Sequence, residues 1–321
     1  MASINERLRA RKSAMFEMFD QFFLQQIVNG LAQGTVYALM AIGFTLIFGV
    51  LNVVNFAHDQ LYTLGAFAGL WVIQLVAPPL FVVVLAVIVV GLMSGALLER
   101  LAFKPLRRFS DEASLKSKAV REATLLSSLA VSIVVRELLS NLQGSNAQPI
   151  PAAYQLMEPI TVGSVTFVSG QFIIFGFGLA ALIGLQWFLF RTRQGLAVRA
   201  VASNVNGALH VGINIERTII ITFMLGGVLG AVSGVLVGLY TGSIMPTMGF
   251  SVAIKAFVAM VMGGLNSIPG AVICAMGLGL VEALATNYID AGWVDGIIYA
   301  LLLATLLFFP RGILGGRRER V

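Results

Sequence analysis

The sequence contains little charge, one cysteine and two histidines, and each shortage excludes a class of protein. Charged residues make up 11% of the 321 residues, against about 25% in soluble domains, so a soluble globular enzyme is excluded. The single cysteine, Cys274, provides neither a disulfide framework nor a cysteine-rich metal site. The two histidines, His58 and His210, have no cluster of acidic residues beside them to complete a ligand set. We therefore expect no metal site.

The sequence also lacks the motifs of enzymes that use nucleotides or a nucleophilic serine. It contains no Gly-x-x-x-x-Gly-Lys-Ser/Thr loop for phosphates, so any ATP must be hydrolysed by another chain. The closest stretch to a Gly-x-Ser-Gly motif is Ala231-Val232-Ser233-Gly234, and no predicted span supplies a histidine as its base. We therefore predict a protein that is not an enzyme and that binds no cofactor itself.

Apolar runs dominate the sequence instead. Hydrophobic residues make up 58% of the chain, and runs of membrane-spanning length recur between Phe22 and Phe309. A transmembrane helix needs about 20 such residues, so the sequence predicts an all-α polytopic membrane protein. The first twenty residues do not resemble a signal peptide, because no small-residue cleavage site follows the first hydrophobic run. We interpret them as a cytoplasmic segment that forms either an interfacial helix or a disordered tail.

Basic residues are concentrated in four segments. Of the 21 Lys and Arg residues, 19 lie in residues 1–20, 100–122, 191–217 and 311–320. Cytoplasmic loops carry such an excess, so all four segments and both termini are predicted to be cytoplasmic, with residues 143–166 as the main external loop. The predicted organisation is an N-terminal segment (1–21), a transmembrane domain (22–310) that includes a cytoplasmic loop (191–217), and a basic cytoplasmic tail (311–321).

If all four basic segments lie on the same side of the membrane, the chain must cross the membrane an even number of times between one segment and the next. Between residues 20 and 100 the apolar runs divide near Gly43, Ala57 and Pro78, which gives four crossings; two more flank the external loop and four follow residue 217. The sequence thus predicts about ten transmembrane or half-spanning helices, although hydropathy alone would return eight. Five helices on each side of the external loop predict an inverted five-plus-five repeat, a common transporter design.

Two interrupted apolar segments predict a translocation path. The first is broken at Asn55-Phe56-Ala57-His58 and the second between Pro246 and Phe250, and corresponding breaks in two halves of a transporter indicate its substrate site. Lys255 and Glu282 lie within predicted spans, where either mutual pairing or a water-filled cavity would stabilise them. The predicted path residues are Asn55, His58, Pro246, Gly249, Phe250, Lys255 and Glu282.

Glycine recurs at every fourth position from residue 226 to residue 242. On a helix this spacing leaves a groove along one face, into which a second membrane helix packs closely. The partner helix belongs either to this chain or to another subunit. The predicted packing residues are Gly226, Gly230, Gly234 and Gly238.

The loop 191–217 contains apolar residues at helical spacing. Val198, Val201, Val205 and Ala208 recur at intervals of three and four, which predicts a short two-faced helix. Because so short a helix is marginal alone in water, a surface on another protein or the body of the chain itself should hold it. A position on lipid headgroups is the alternative, which the small apolar face does not favour.

Three stretches of the sequence resemble the LivH-type permeases of bacterial branched-chain amino acid ABC importers. They begin NGLAQGTVYALMAIGF, GLAVRAVASNVNGALHVGIN and GSIMPTMGFSVAIKAF, and the resemblance covers about residues 24–315. The Asn-Phe-Ala-His run and the Gly-Gly-x-x-Ser-x-Pro-Gly turn carry it most specifically. Members of that family usually have Gly and an acidic residue after the Asn-Phe-Ala-His run, whereas Asp59 and Gln60 follow it here.

The resemblance implies a transport subunit that works with other proteins. The expected partners are a second homologous permease subunit, two cytoplasmic ATPase subunits and a periplasmic amino-acid-binding protein, within membrane lipid and without nucleic acid. It also implies that residues 195–212 form a coupling helix that seats in a groove of the ATPase. The residues so assigned to ATPase coupling are Gly195, Arg199, Ala200, Val201, Asn204, Val205, Ala208 and Gly212.

The expected function is the uptake of amino acids, with branched-chain amino acids as the first candidates, across a bacterial inner membrane. A permease for urea or short amides, of the same superfamily, is the alternative. An ion-coupled carrier and an intramembrane enzyme are the remaining readings from other classes. The sequence does not name the solute.

Overall fold

The computed structural model describes residues 2–108, 118–162, 165–289, 291–310 and 312–315. The rest of the predicted basic segment 100–122 and of the predicted tail 311–321 therefore lies outside the described residues. The helices are α1 (Ala2–Leu51), α2 (His58–Val76), α3 (Leu80–Leu98), α4 (Lys104–Arg108), α5 (Lys118–Gln143), α6 (Ser169–Arg191), α7 (Arg193–Ser203), α8 (Val205–His210), α9 (Ile215–Thr241), α10 (Met248–Gly263), α11 (Ile268–Tyr288) and α12 (Ala291–Phe308). A π-helical turn (Glu99–Phe103) joins α3 to α4, and a 3₁₀ turn spans Ala152–Tyr154.

Two small antiparallel sheets lie at one end of the helical bundle. Strands β2 (Pro159–Val162) and β3 (Val165–Val168) form a hairpin. Strand β1 (Gln148–Pro149) pairs with β4 (Ser243–Ile244), which follows α9. This second pairing attaches the predicted external loop to the chain segment between α9 and α10.

The all-α polytopic fold is confirmed, and nine of the helices in the described part of the chain correspond to the about ten transmembrane or half-spanning helices that the sequence predicts. Six of them are long and apolar enough to cross a membrane, α10 and α12 are shorter apolar helices, and α2 has 19 residues and begins with the polar run His58-Asp59-Gln60. Gly43 does not divide the first apolar run, because α1 continues as a single helix to Leu51. A side chain at Gly43 would collide with the His58 ring, so this glycine serves close packing and not a turn.

The two ends of α1 lie at opposite ends of the bundle. Gln25 donates a hydrogen bond to the carbonyl oxygen of Thr166 in β3 at 2.9 Å. A Cβ atom at Gly49, near the other end of α1, would lie 3.7 Å from Ala202 in α7. The part of α1 before Phe22, with the first basic segment, therefore belongs to the end that carries residues 143–168. The prediction that residues 1–21 are cytoplasmic relied on two crossings in this region, whereas α1 is a single helix; the side of the membrane on which these residues lie stays a prediction.

The helices form two units of four helices that pack in a similar way but run in opposite directions through the bundle. In the first unit α1 is followed by α2, α3 and α5, and in the second α9 is followed by α10, α11 and α12. Helix α1 packs on α10 and α11, and α9 packs on α2 and α3 in the same way. Because α1 and α9 run in opposite directions, the arrangement is an inverted repeat of four helices, with α6 between the units. It replaces the predicted repeat of five.

The glycines of α9 allow backbone contact with neighbouring helices of the same chain. A Cβ atom at Gly234 would overlap the carbonyl oxygen of Tyr62 in α2. Gly230 faces the same helix, Gly226 lies against Ile47 of α1 and His58 of α2, and Gly238 faces Ile244. The adjacent Gly227, which the every-fourth-residue pattern omits, packs on Gly91 of α3. Helix α9 is therefore held between α2 and α3 with little room for added volume.

Candidate functional site

The two breaks in the membrane helices meet inside the bundle. Helix α1 ends where Asn52 adopts a left-handed conformation with φ of 53°, and α2 begins six residues later at His58. The second break runs from Gly242 to α10 and places Gly249 directly against the first turns of α2, at Asp59 and Thr63. The structure thus brings together the two interrupted segments of the predicted path.

Asn55 organises the first break from within. Its Oδ1 atom accepts a hydrogen bond from the Ala57 amide at 3.1 Å, and its carbonyl oxygen accepts one from the His58 amide at 3.2 Å. This is the local turn that asparagine side chains commonly support. The side chain is 1% exposed, and its Nδ2 atom has no hydrogen-bond partner within the described chain. A role for Asn55 in the path remains a prediction.

The His58 side chain packs between helices, and only part of the second break is exposed. The His58 ring is fully buried, 4.7 Å from the Phe44 ring between centroids, and Gly226 lies on its other side. Pro246 is buried, whereas Phe250 is 51% exposed. Of these predicted path residues, Phe250 is the one that faces an opening.

Lys255 and Glu282 form an ion pair in the bundle interior. Their Nζ and Oε1 atoms are 2.6 Å apart, and both residues are 8% exposed. The Tyr37 hydroxyl donates to the other oxygen of Glu282 at 2.7 Å, and Lys255 also reaches Asp295 at 3.2 Å. Of the two sequence-based explanations for these charges, the structure contains the mutual pair. It ties α10 to α11, α1 and α12.

A narrow cleft beside the meeting breaks contains a carboxylate that the sequence-based site omitted. Asp59 is 3% exposed, and the Ser132 hydroxyl of α5 lies 2.9 Å from both of its oxygens. The Gln60 amide donates to it at 2.8 Å. The other cleft residues are Phe44, Phe56, Leu129, Phe250, Ala253, Ile254 and Phe257. The signal in the sequence was the acidic residue directly after Asn-Phe-Ala-His.

The loop at the opposite end of the bundle forms two helices and not one. Thr192 caps α7 by accepting from the Gly195 amide at 2.9 Å, and Asn204 caps α8 by accepting from the Gly207 amide at 3.1 Å. Asn204 thus interrupts the apolar repeat that predicted a single helix. The Arg199 side chain donates to the Leu189 carbonyl at 3.0 Å and lies over the Phe190 ring, which fixes α7 on the end of α6.

The apolar face of this loop packs on its own chain. Val198, Val201 and Ala208 are at most 3% exposed and join a core cluster with α1 and α9. Val205 and Ala200 pack against the same cluster, and a Cβ atom at Gly195 would overlap the Phe188 carbonyl. This face therefore packs on the body of the chain, which is one of the two supports predicted for it, and the ATPase contact of this loop stays a prediction. The apolar side chains left exposed are Leu196, Leu209 and Val211, and Gly212 has a φ of 79° that favours glycine.

The architecture defines the class of the protein: an integral membrane protein in which two inverted units bring their interrupted helices together at the bundle centre, as in membrane transporters. A family model described as the permease component of the branched-chain amino acid transport system matches residues 26–306. The chain belongs to this family and is a transport subunit.

Three relatives extend across most of the chain. The high-affinity branched-chain amino acid transport system permease protein LivH of Escherichia coli (strain K12) is 34% identical over 322 residues, covering 93% of this chain and 98% of the relative. BraD of Pseudomonas aeruginosa, with the same description, is 35% identical, covering 91% and 96%. A probable branched-chain amino acid transport permease protein LivH of Methanocaldococcus jannaschii is 31% identical, covering 86% and 88%.

Proposed function

We propose that this chain is the membrane-spanning subunit of an importer that takes up branched-chain amino acids and is driven by ATP hydrolysis in separate subunits. The observation that carries the proposal is the family match across residues 26–306, which includes both helix breaks. The cleft where the breaks meet is apolar with one carboxylate and one hydroxyl. Such a lining suits a small aliphatic solute with a polar head group.

The partners are a second homologous permease, two ATPase subunits and a periplasmic binding protein. The exposed Leu209 and Val211 beside α8 offer the ATPase an apolar contact, at 39% and 75% exposure. The outward faces of α5 and α12 are apolar, with Leu126, Val134 and Leu307 well exposed, and suit either lipid or the second permease. These two surfaces give the ATPase and the second permease separate parts of the molecule.

The chain resides in a bacterial inner membrane with residues 191–217 and the C-terminal end in the cytoplasm. The basic residues around 100–122 and 191–217 support this orientation, because Lys104 and Glu216 form an ion pair at the same end of the bundle. Residues 143–168 and the beginning of α1 are then periplasmic. This orientation leaves the N-terminal basic segment outside, against the general bias.

The test is reconstitution with the ATPase subunits and binding protein encoded beside this chain. Proteoliposomes should accumulate labelled leucine, isoleucine or valine only with loaded binding protein and ATP. Accumulation driven by an ion gradient without the ATPase subunits would instead identify a carrier. Uptake of urea or a short amide, with no uptake of amino acids, would move the chain to the alternative substrate class.

A further inference from the structure

The Asp59 carboxylate is buried in the bundle, and among the described residues no basic side chain lies within ion-pair distance of it. Within the described chain its hydrogen-bond donors are the Ser132 hydroxyl and the Gln60 amide, and no Lys or Arg forms an ion pair with it. Its position in the first turn of α2 also favours a negative charge. Ionisable groups at such depth face a substrate pathway or pair with an opposite charge. Arg136 of α5 is near enough for its charge to act on Asp59 but forms no ion pair with it, so the carboxylate has no direct cationic partner, which points to a cationic ligand.

The cleft around Asp59 has the size and lining for an ammonium group. Its volume is about 60 Å³, several times the roughly 10–15 Å³ that a cavity needs by the same measure to hold one water. This space admits a small polar head group. Aromatic rings attract cations, and Phe44, Phe56 and Phe257 line the cleft. Phe250, half exposed, stands at its opening.

A guanidinium lies one helical turn from the cleft. Arg136 follows Ser132 by four residues on α5, so the two side chains project from the same face of that helix. Its side chain is 32% exposed, and its ion pair with Glu137 spans 3.5 Å, which leaves donors available. A guanidinium binds carboxylates in a planar, two-bond geometry. Ser132 thus contacts the negative charge of Asp59 and lies one helical turn from the positive charge of Arg136, and the two charges match the two ends of a zwitterion.

We propose that the cleft is a binding site for a zwitterionic α-amino acid within the membrane. The substrate ammonium group binds Asp59 and Ser132, the substrate carboxylate binds Arg136, and the aliphatic side chain lies against the exposed phenylalanines at the opening. This assignment rests on the proposed function. It selects against urea and short amides, because a neutral solute would leave the Asp59 charge without a partner.

The buried pair on the other side of α10 does not compete for this role. Lys255 and Glu282 neutralise each other at 2.6 Å, and Tyr37 occupies the remaining oxygen of Glu282. Neither residue lines the cleft. A zwitterion would have to displace an existing ion pair there, whereas at Asp59 its ammonium group forms an ion pair that no described residue forms.

The test compares charge-removing variants in the complete reconstituted transporter, with substrate uptake, ATP hydrolysis and thermal stability measured on the same preparation. Asp59→Asn keeps the volume of the side chain, and Arg136→Gln changes a partly exposed position. We expect each to reduce the amino acid taken up per ATP hydrolysed by about tenfold or more, while the complex assembles and its melting temperature is retained. Glu137→Gln removes a neighbouring charge outside the cleft, and we expect the ratio to change less than about twofold.

A second variant of the same cluster controls for folding. Asp59→Asn combined with Gln60→Glu moves the charge to a buried neighbour whose amide lies 3.4 Å from Ser132, and it should restore part of the lost ratio. A wild-type ratio in Asp59→Asn or in Arg136→Gln would overturn the proposal. If Asp59→Asn does not assemble, Arg136→Gln decides. Absence of amino acid uptake by the wild-type complex would instead refute the proposed function.

Discussion

Replacement of Lys255 by methionine should destabilise the protein more than replacement of Glu282 by glutamine. Lys255→Met leaves the Glu282 carboxylate buried with only two neutral donors, the Tyr37 hydroxyl at 2.7 Å and the Gln33 amide at 3.2 Å. Glu282→Gln leaves the Lys255 ammonium with Asp295 at 3.2 Å. The two changes remove the same ion pair, but only the first leaves a buried charge without an opposite charge.

The magnitudes follow from this difference. An unpaired buried charge costs about 3–5 kcal/mol, which is the expected loss for Lys255→Met. Loss of one hydrogen bond to a charged group costs roughly 1.5–3 kcal/mol, which is the expected loss for Glu282→Gln. The double variant has no buried charge at this site, and replacement of both partners is often nearly neutral. It should therefore be more stable than Lys255→Met alone.

Unfolding in mixed micelles of mild detergent and dodecyl sulfate measures these free energies on the purified chain. The expected order of stability is wild type, Glu282→Gln, Lys255→Met, with the double variant above Lys255→Met. Equal losses in the two single variants would show that Asp295 does not hold the Lys255 charge. Additive losses in the double variant would refute the assignment of the cost to an unpaired charge.

Three further outcomes are expected. Gly234→Ala should prevent normal assembly because a Cβ atom there overlaps the α2 backbone, whereas Gly184→Ala, with nothing within 4 Å, should express and melt like the wild type. Val211→Glu, at a 75% exposed position beside α8, should lower transport-linked ATP hydrolysis without loss of membrane insertion. Normal hydrolysis in this variant would show that the surface around Val211 does not contact the ATPase. In a cysteine-free background, a membrane-impermeant thiol reagent added on the periplasmic side should label a cysteine introduced at Asp20 and not one introduced at Asn206. The reverse labelling pattern would show that the chain has the opposite orientation in the membrane.

The helix breaks could be predicted from the sequence because their causes are local. Asn55 supports a turn through its own side chain, and the chain leaves α1 at Asn52, so polar residues within an apolar run mark the first interruption directly. Thr192 and Asn204 likewise cap α7 and α8 through neighbouring amides. At Asn204, however, the apolar repeat continues past the capping residue. The sequence therefore predicts one helix where the structure contains two, α7 and α8.

The number of crossings could not be predicted because it depends on a distant contact. Gly43 resembles a break in the sequence, but its lack of a side chain makes room for His58 from the next helix. The same holds for the Asp59 site, because the Ser132 hydroxyl that binds the carboxylate lies 73 residues further along the chain. Periodicity and composition report the environment of a residue, and they do not report which partner faces it.

The unequal burial of the helices connects the proposed site to the transport cycle. The spans of α1 and α9 are 83% and 72% buried, and both are held by glycine contacts, whereas the span of α5 is 22% buried. Asp59 belongs to the tightly packed part, and Ser132 and Arg136 belong to α5. A displacement of α5 therefore separates the groups that would bind the two ends of the substrate without disturbing the packed helices. If the proposed site is correct, release of the substrate would require the loss of a few hydrogen bonds and not a rearrangement of the core.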